Sequence, residues 1–262
     1  METKDWERFL IPYEQAVEEL TMKFQSLKKQ YVVMGQYSPI ELVIGRVKKV
    51  SSILEKSKRQ KISIEKIENE MEDIAGIRII CQFVEDINKV VQLIRERHGK
   101  DLHIVYEKDY VSHEKESGYR SYHVIIRYPV QCFLGEQEVL AEIQIRTLAM
   151  NFWATIEHSL NYKYKENIPE KICIRLKNAA EAAFSLDQEM SQIREEIKDA
   201  QKTFTIRSST VSQILHYIQT LYKSGKEELA EKYQDIFAQM WEKGDLKMLM
   251  ALAADLEHKI ES

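Results

Sequence analysis

The sequence predicts an α+β fold: a mixed β-sheet with flanking helices, followed by a helical C-terminal extension. Three observations predict it. Runs rich in β-branched residues occur only before about residue 168, separated by helical patterns. Two of them, "SYHVIIRYPV" and "EVLAEIQIRT", flank a short Gly-bearing loop, a hairpin signal that supplies an antiparallel pair. Beyond about residue 170 only helical periodicity remains.

The elements follow in chain order. From Tyr13, the residues Val17, Leu20, Phe24, Leu27 and Tyr31 recur at alternating steps of four and three, an amphipathic helix within residues 1–34. "MGQYSPI" ends it. "ELVIGRVK" alternates with β-branched residues as a strand does, and a helix follows from about Val50 to Arg59. "DIAGIRIICQF" is a second strand, and "DINKVVQLIRERHG" a helix closed by Gly99. "DLHIVYEKDY" is a third strand. The hairpin comes next, then a helix over "LAMNFWATIEHSLNYKYK" that ends before Pro169 and completes a domain over 35–170. Ile172, Leu176, Ala179, Ala183, Leu186, Met190, Ile193 and Ile197 then form a heptad stripe, so 171–202 reads as an amphipathic helix for oligomerisation. A polar break at "TIRSST" separates it from three short helical segments in 203–262, an extension with no assigned role.

Composition narrows the function classes. With 262 residues, 31% charged and 44% hydrophobic, the chain suits a soluble, helix-rich protein. Its formal net charge of −4 advertises no bulk field for nucleic acid, and DNA is not expected as a partner. No apolar run approaches a membrane span, and "METKDWERFL" has no apolar signal core, so a cytoplasmic protein without membrane contact is expected. Cys81, Cys132 and Cys173 show neither metal-ligand nor redox spacing and read as reduced thiols.

The usual phosphate loops are missing: there is no G-x-x-x-x-G-K-[ST] and no G-x-G-x-x-G. A nucleoside triphosphate would have to be held by side chains. Arg46 and Lys48 lie two apart on a strand, and Ser52, Lys56 and Arg59 share one face of the next helix. Such a run alone is commonly a solvated face. Here strand and helix aim at one pocket. Asp73 and Glu142 sit at strand margins, and together they could hold Mg²⁺, which binds through one or two carboxylates plus substrate phosphates. Asp73 alone reads equally well as a turn residue. In "EIQIRT", alternation puts Glu142, Gln144 and Arg146 on one face. "HEKESGYRSYH" offers Lys115 to a phosphate, Gly118 for a turn, and Tyr119 either to a base or to the sheet edge. His113, His123 and His158 lack zinc spacing and read as structural.

Taken together, "GRVKKVSSILEKSKR", "MEDIAGIRI", "KESGYRSYH" and "AEIQIRTLAMNFWATIEHSLNYK" resemble the ordered motifs of the RelA/SpoT-type synthetase domain. The length and the "WERFL" start resemble the RelQ type of small alarmone synthetase, over about residues 5–200. The resemblance implies a nucleotidyltransferase-like synthetase domain that moves pyrophosphate from ATP to the 3′-hydroxyl of GTP, GDP or GMP and releases AMP. The hydrolase domain of the long family members, with its His-Asp pair, has no counterpart here. The resemblance further implies Arg46 and Arg78 about the adenine, and Lys48, Ser52, Lys56 and Arg59 on the ATP phosphates. It places Asp73 and Glu142 on Mg²⁺, with Glu142 also activating the hydroxyl. Tyr119 would stack on guanine, Lys115 and His123 would face the acceptor phosphates, and Gln144 and Asn151 the acceptor nucleoside. It implies a homotetramer with, at most, weak binding of single-stranded RNA. Thr21 and Gln25 stand where the RelQ type has lysines, and Leu42 and Ile44 where it has Phe and Thr, which predicts weak activation by product. The rivals are a silent nucleotide- or RNA-binding regulator and a synthetase-like toxin that modifies tRNA or makes adenine alarmones.

The stripes at 13–31 and 172–197 carry more apolar surface than one small sheet covers. A homo-oligomer is expected, most simply a tetramer. Light scattering at micromolar concentration should give a multiple of the chain mass, and a monomer would refute this.

Overall fold

The computed structural model describes residues 3–163, 169–243 and 245–261. These form two compact units, 1–191 and 192–262. The first holds a five-stranded sheet in the order β1 (Leu42–Val47), β2 (Ala75–Cys81), β5 (Gly135–Thr147), β4 (Tyr122–Cys132), β3 (His103–Asp109). β2 and β5 run parallel and the other neighbours antiparallel, so the sheet is mixed, as expected. The hairpin joins β4 to β5, with Gly135 at φ +91° in its turn.

One face of the sheet is apolar. Ile77 and Ile79 on β2 and Ile143 and Ile145 on β5 are buried beneath two helices, α1 (Thr3–Val33) and α4 (Val84–Arg95). Tyr13, Leu20 and Phe24 of α1 and Ile87, Val90 and Ile94 of α4 complete that core. α1 lies close on β1 at Gly45, where a Cβ would stand 2.4 Å from Thr21 Oγ1 and 2.6 Å from Val17 Cγ1. Helices α2 (Val50–Gln60) and α3 (Ile67–Glu70) link β1 to β2, the second preceded by a 3₁₀ turn at Ile64–Lys66. Neither the turn nor α3 is visible as hydrophobic periodicity.

After β5 come α5 (Leu148–Lys163) and α6 (Glu170–Lys223). The expected end of α5 before Pro169 lies outside the described residues. Thr147 accepts the Met150 N–H at 3.1 Å, capping α5, and donates to Asp187 on α6 at 2.5 Å. The indole N–H of Trp153 donates to the Leu176 carbonyl at 2.9 Å, fixing the start of α6 along α5.

The break expected at "TIRSST" does not occur; α6 runs through it. The hydroxyls there bond back to carbonyls of the preceding turn. Thr205 reaches Gln201, and Ser209 and Thr210 both reach Ile206, each at 2.9 Å. The groups that looked like breakers are therefore satisfied within the helix. Three helical segments do follow that stretch among the described residues: the remainder of α6 to Lys223, α7 (Glu227–Lys243) and α8 (Leu246–Glu261). In the second unit Ile214, Ile218, Leu221, Tyr233, Leu249 and Leu256 make a separate core. In the first, Leu186 and Met190 of the α6 stripe remain exposed.

Asp187 is 5% exposed, and burial pushes its carboxyl up to about 6, with Glu85 adding to the rise against the Thr147 hydrogen bond. The folded state thus binds a proton that the unfolded chain releases near its ordinary value of 3.8. Stability from this group is full below about pH 4 and lost as pH rises through about 6. Asp187→Asn should flatten that fall. Denaturant midpoints of variant and wild type, followed from about pH 4 to about pH 7, should converge on the acid side and favour the variant at neutral pH.

Candidate functional site

The other face of the sheet is polar, and on it opens a cleft of about 620 Å³. β5 builds its floor. Because side chains alternate, Glu142, Gln144 and Arg146 face the cleft while Ala141, Ile143 and Ile145 face the core. Register brings neighbours into line: Arg78 on β2 pairs with Gln144, which pairs with His123 on β4. One step along, Arg46 of β1 pairs with Gly76, which pairs with Glu142. With no side chain at Gly76, the floor between Arg46 and Glu142 is bare and forms a small recess.

Five cations line the cleft, Arg46, Arg59, Arg78, Lys115 and Arg146, against three carboxylates, Asp73, Glu142 and Glu157. A chain of net charge −4 thus concentrates positive charge here. Burial, then the like charges of Arg146 and Arg46, push the Arg78 guanidinium down to about 10, and its buried Nε has no partner among the described residues. Such crowding favours an anionic ligand.

The two carboxylates differ in their neighbours. Asp73, just before β2, meets the Lys48 ammonium at 2.7 Å and that of Lys56 at 2.9 Å. Burial works to raise its carboxyl, and the lysines outweigh this, holding it below the usual range. Glu142 accepts from His123 Nδ1 at 2.9 Å and from the Gln144 amide at 2.8 Å. Burial and the Asp73 charge work to raise it, but the hydrogen bonds prevail and it too lies below its ordinary value. Both carboxylates line the cleft, so their oxygens face any ligand in it. Among the described residues no group of three or more His, Cys, Asp or Glu could hold a metal. Two carboxylates suit a hard cation that also takes phosphate oxygens.

The loop of residues 113–121 forms one wall. Gly118 has φ +85°, and a Cβ there would lie 2.6 Å from that of Ala180 on α6. Arg120 donates to the Val111 carbonyl at 3.2 Å and pairs with Glu114 at 3.1 Å and Glu181 at 3.3 Å, clamping the loop. Tyr119 is half-buried, with its hydroxyl 2.5 Å from Arg146 Nη2 and 2.8 Å from His123 Nε2. The Lys115 ammonium stands 4.9 Å from the centre of its ring.

Of the residues singled out from sequence, Arg46, Arg59, Asp73, Arg78, Lys115, Tyr119, His123, Glu142 and Gln144 line the cleft together. Lys48 and Lys56 reach it through Asp73. Ser52 is half-buried on α2 and does not line the cleft. Asn151, on α5, does not line it either, and its buried Oδ1 has no partner among the described residues. Both ring nitrogens of His123 are engaged within the protein. Arg146, Ser117, Thr155, Glu157 and His158 also line the cleft, without having been assigned to it. The alternation of "EIQIRT" pointed at Arg146. Nothing in the spacing set His158 apart from a structural histidine.

Comparison with known proteins places this geometry. Residues 45–167 match the family model described as a region found in RelA / SpoT proteins. YjbM, a GTP pyrophosphokinase of Bacillus subtilis strain 168, is 57% identical over 205 residues, covering 78% of this chain and 96% of that protein. The crystal structure of small alarmone synthetase 1 from Bacillus subtilis bound to its product pppGpp is similar, with a TM-score of 0.71 and 58% identity. The similarity covers 74% of this chain and 98% of that one. The same synthetase bound to AMPCPP gives a TM-score of 0.65 and 54% identity over 75% and 99% of the two chains.

Proposed function

The chain belongs to the RelA/SpoT family, and we propose that its cleft carries out the reaction for which its relatives are named. The protein is a GTP pyrophosphokinase that makes (p)ppGpp. The observation that carries this is Glu142 on the floor of a positively charged cleft, aimed by the pleat of β5 and flanked by Arg46, Arg78 and Tyr119.

The 3′-oxygen of a guanine nucleotide attacks the β-phosphorus of ATP. The bond from that phosphorus to the bridging α–β oxygen breaks, and AMP leaves. Arg46 and Arg78 hold the adenine. Arg59, Lys48 and Lys56 serve the phosphates, with the two lysines drawn from Asp73 towards the nucleotide, and Ser52 stands behind them on α2. Tyr119 stacks on the acceptor guanine, Lys115 moves from its ring to a phosphate, and Gln144 orients the acceptor nucleoside, with Asn151 outside the cleft lining on α5. Glu142 takes the proton of the 3′-hydroxyl. Asp73 and Glu142 would hold Mg²⁺, which when bound neutralises charge on the transferring group. Such transfer asks mainly for positioning and electrostatic stabilisation. The enzyme works in the cytoplasm as a homotetramer, an assembly supported by the exposed Leu186, Met190, Ile193 and Ile197 on α6.

Labelled ATP incubated with GTP, GDP, GMP or tRNA tests the reading. AMP release with a 3′-pyrophosphorylated guanine nucleotide is expected; product on tRNA alone, or none, would refute it. Tyr119→Ala should weaken guanine nucleotide binding by about 1–3 kcal/mol and leave ATP binding unchanged. Equal losses for both nucleotides would make the tyrosine structural. Glu142→Gln should lower turnover by at least about 10²-fold while the fold persists and calorimetry still detects ATP. Retention of more than about a tenth of wild-type turnover would place the base elsewhere.

A further inference from the structure

Arg146 has no role in the reaction as written above, yet it is 3% exposed at the floor of the cleft. A buried cation is costly unless paired. Among the described residues Arg146 forms no ion pair with a carboxylate, and its hydrogen bonds go to neutral groups. Nε donates to Ser121 Oγ at 3.2 Å, and Nη2 to the Tyr119 hydroxyl at 2.5 Å and to Gln144 Oε1 at 2.8 Å.

Those bonds give one consistent placement of the neighbouring protons. The Tyr119 oxygen accepts a hydrogen bond from Arg146 Nη2, which leaves its own O–H to donate to His123 Nε2, 2.8 Å away. With Nε2 accepting, the ring proton sits on Nδ1, where it meets Glu142 Oε1 at 2.9 Å. On the other side, Gln144 accepts through Oε1, which fixes its amide orientation and presents Nε2 to Glu142 Oε2 at 2.8 Å. Two hydrogen-bond chains leave one guanidinium and end on the two oxygens of one carboxylate.

We propose that Arg146 is a positioning residue that joins the acceptor-binding tyrosine to the general base, setting the direction of both chains that aim Glu142. The inference rests on the reaction proposed above, with Glu142 as base and Tyr119 as the platform for guanine. Without the guanidinium, the Tyr119 hydroxyl turns freely, the His123 tautomer is no longer imposed, and the Gln144 amide is free to flip. Glu142 then loses both aimed donors. The guanidinium also stands 5.0 Å from the centre of the Tyr119 ring, so it is Tyr119→Phe, which keeps the ring and that contact, that confines the loss to turnover rather than acceptor affinity.

A double-mutant cycle of Arg146→Met and Tyr119→Phe tests this, read by steady-state AMP release and by the ¹⁵N shifts of the His123 imidazole. Each single variant should lower kcat by roughly 10–100-fold, the range for losing a partner that orients a metal-binding side chain, and Tyr119→Phe should leave the KM for ATP and for the acceptor little changed. The double variant should be no slower than Arg146→Met alone. The wild-type imidazole should show its proton on Nδ1, and Tyr119→Phe should give mixed tautomers. Losses that multiply in the double variant, or wild-type kcat in Tyr119→Phe, would overturn the inference. Tyr119→Phe removes a single oxygen and decides the matter by itself should Arg146→Met not fold. A wild-type protein that makes no alarmone refutes the proposed reaction instead, and the imidazole shifts still report on the chain from Tyr119.

Discussion

The register of β5 between its two neighbours is the constraint on which the rest depends. β5 pairs in parallel with β2 on one side and antiparallel with β4 on the other. That puts Glu142, Gln144 and Arg146 in line with residues of both strands. A slip of one residue would turn all three into the core and bring Ile143 and Ile145 out to the cleft. The apolar face therefore enforces the polar one. Burying Ile77, Ile79, Ile143 and Ile145 under α1 and α4 fixes which face Glu142 takes.

Electrostatics then differentiates two carboxylates that look alike in sequence. Asp73 is met by two ammonium groups, whereas Glu142 is met by an imidazole and an amide. The lysines reach Asp73 on long, flexible stems that can turn to another anion. The partners of Glu142 are short side chains on paired strands and hold still. One carboxylate is thus set in a changeable environment and the other in a fixed one. This division follows from where each sits, one at the mouth of a strand beside α2 and the other in the middle of the sheet.

The wall of the cleft depends on contacts far apart in the chain. Gly118 fits against Ala180 only because it lacks a Cβ, and Arg120 is held by carboxylates from its own loop and from α6. Thr147 and Trp153 tie the same helix to the end of β5 and to α5. The start of α6 therefore acts as a buttress for the Tyr119 loop. Its heptad stripe, legible as an oligomerisation signal, says nothing of that second use, which faces inward.

Hydrophobic periodicity in the sequence was enough to determine the strands, the hairpin, α1, α2, α4, α5 and the polar face of β5, because these obey local rules of period and turn chemistry. Motif resemblance supplied the family and most of the cleft residues. Periodicity was misled at "TIRSST", where hydroxyls that favour breaks in isolation bond back into α6 instead. It was silent on α3 and its 3₁₀ turn, which are too short for periodicity to register. Only the tertiary structure decided which cations reach the cleft, since Lys48 and Lys56 arrive there through Asp73 and Arg78 arrives by strand register. It alone joined Arg146, Tyr119, His123, Gln144 and Glu142 into one hydrogen-bonded unit. The reason is geometric: local pattern tells which face a side chain takes, and only pairing between distant strands tells which side chains it meets there.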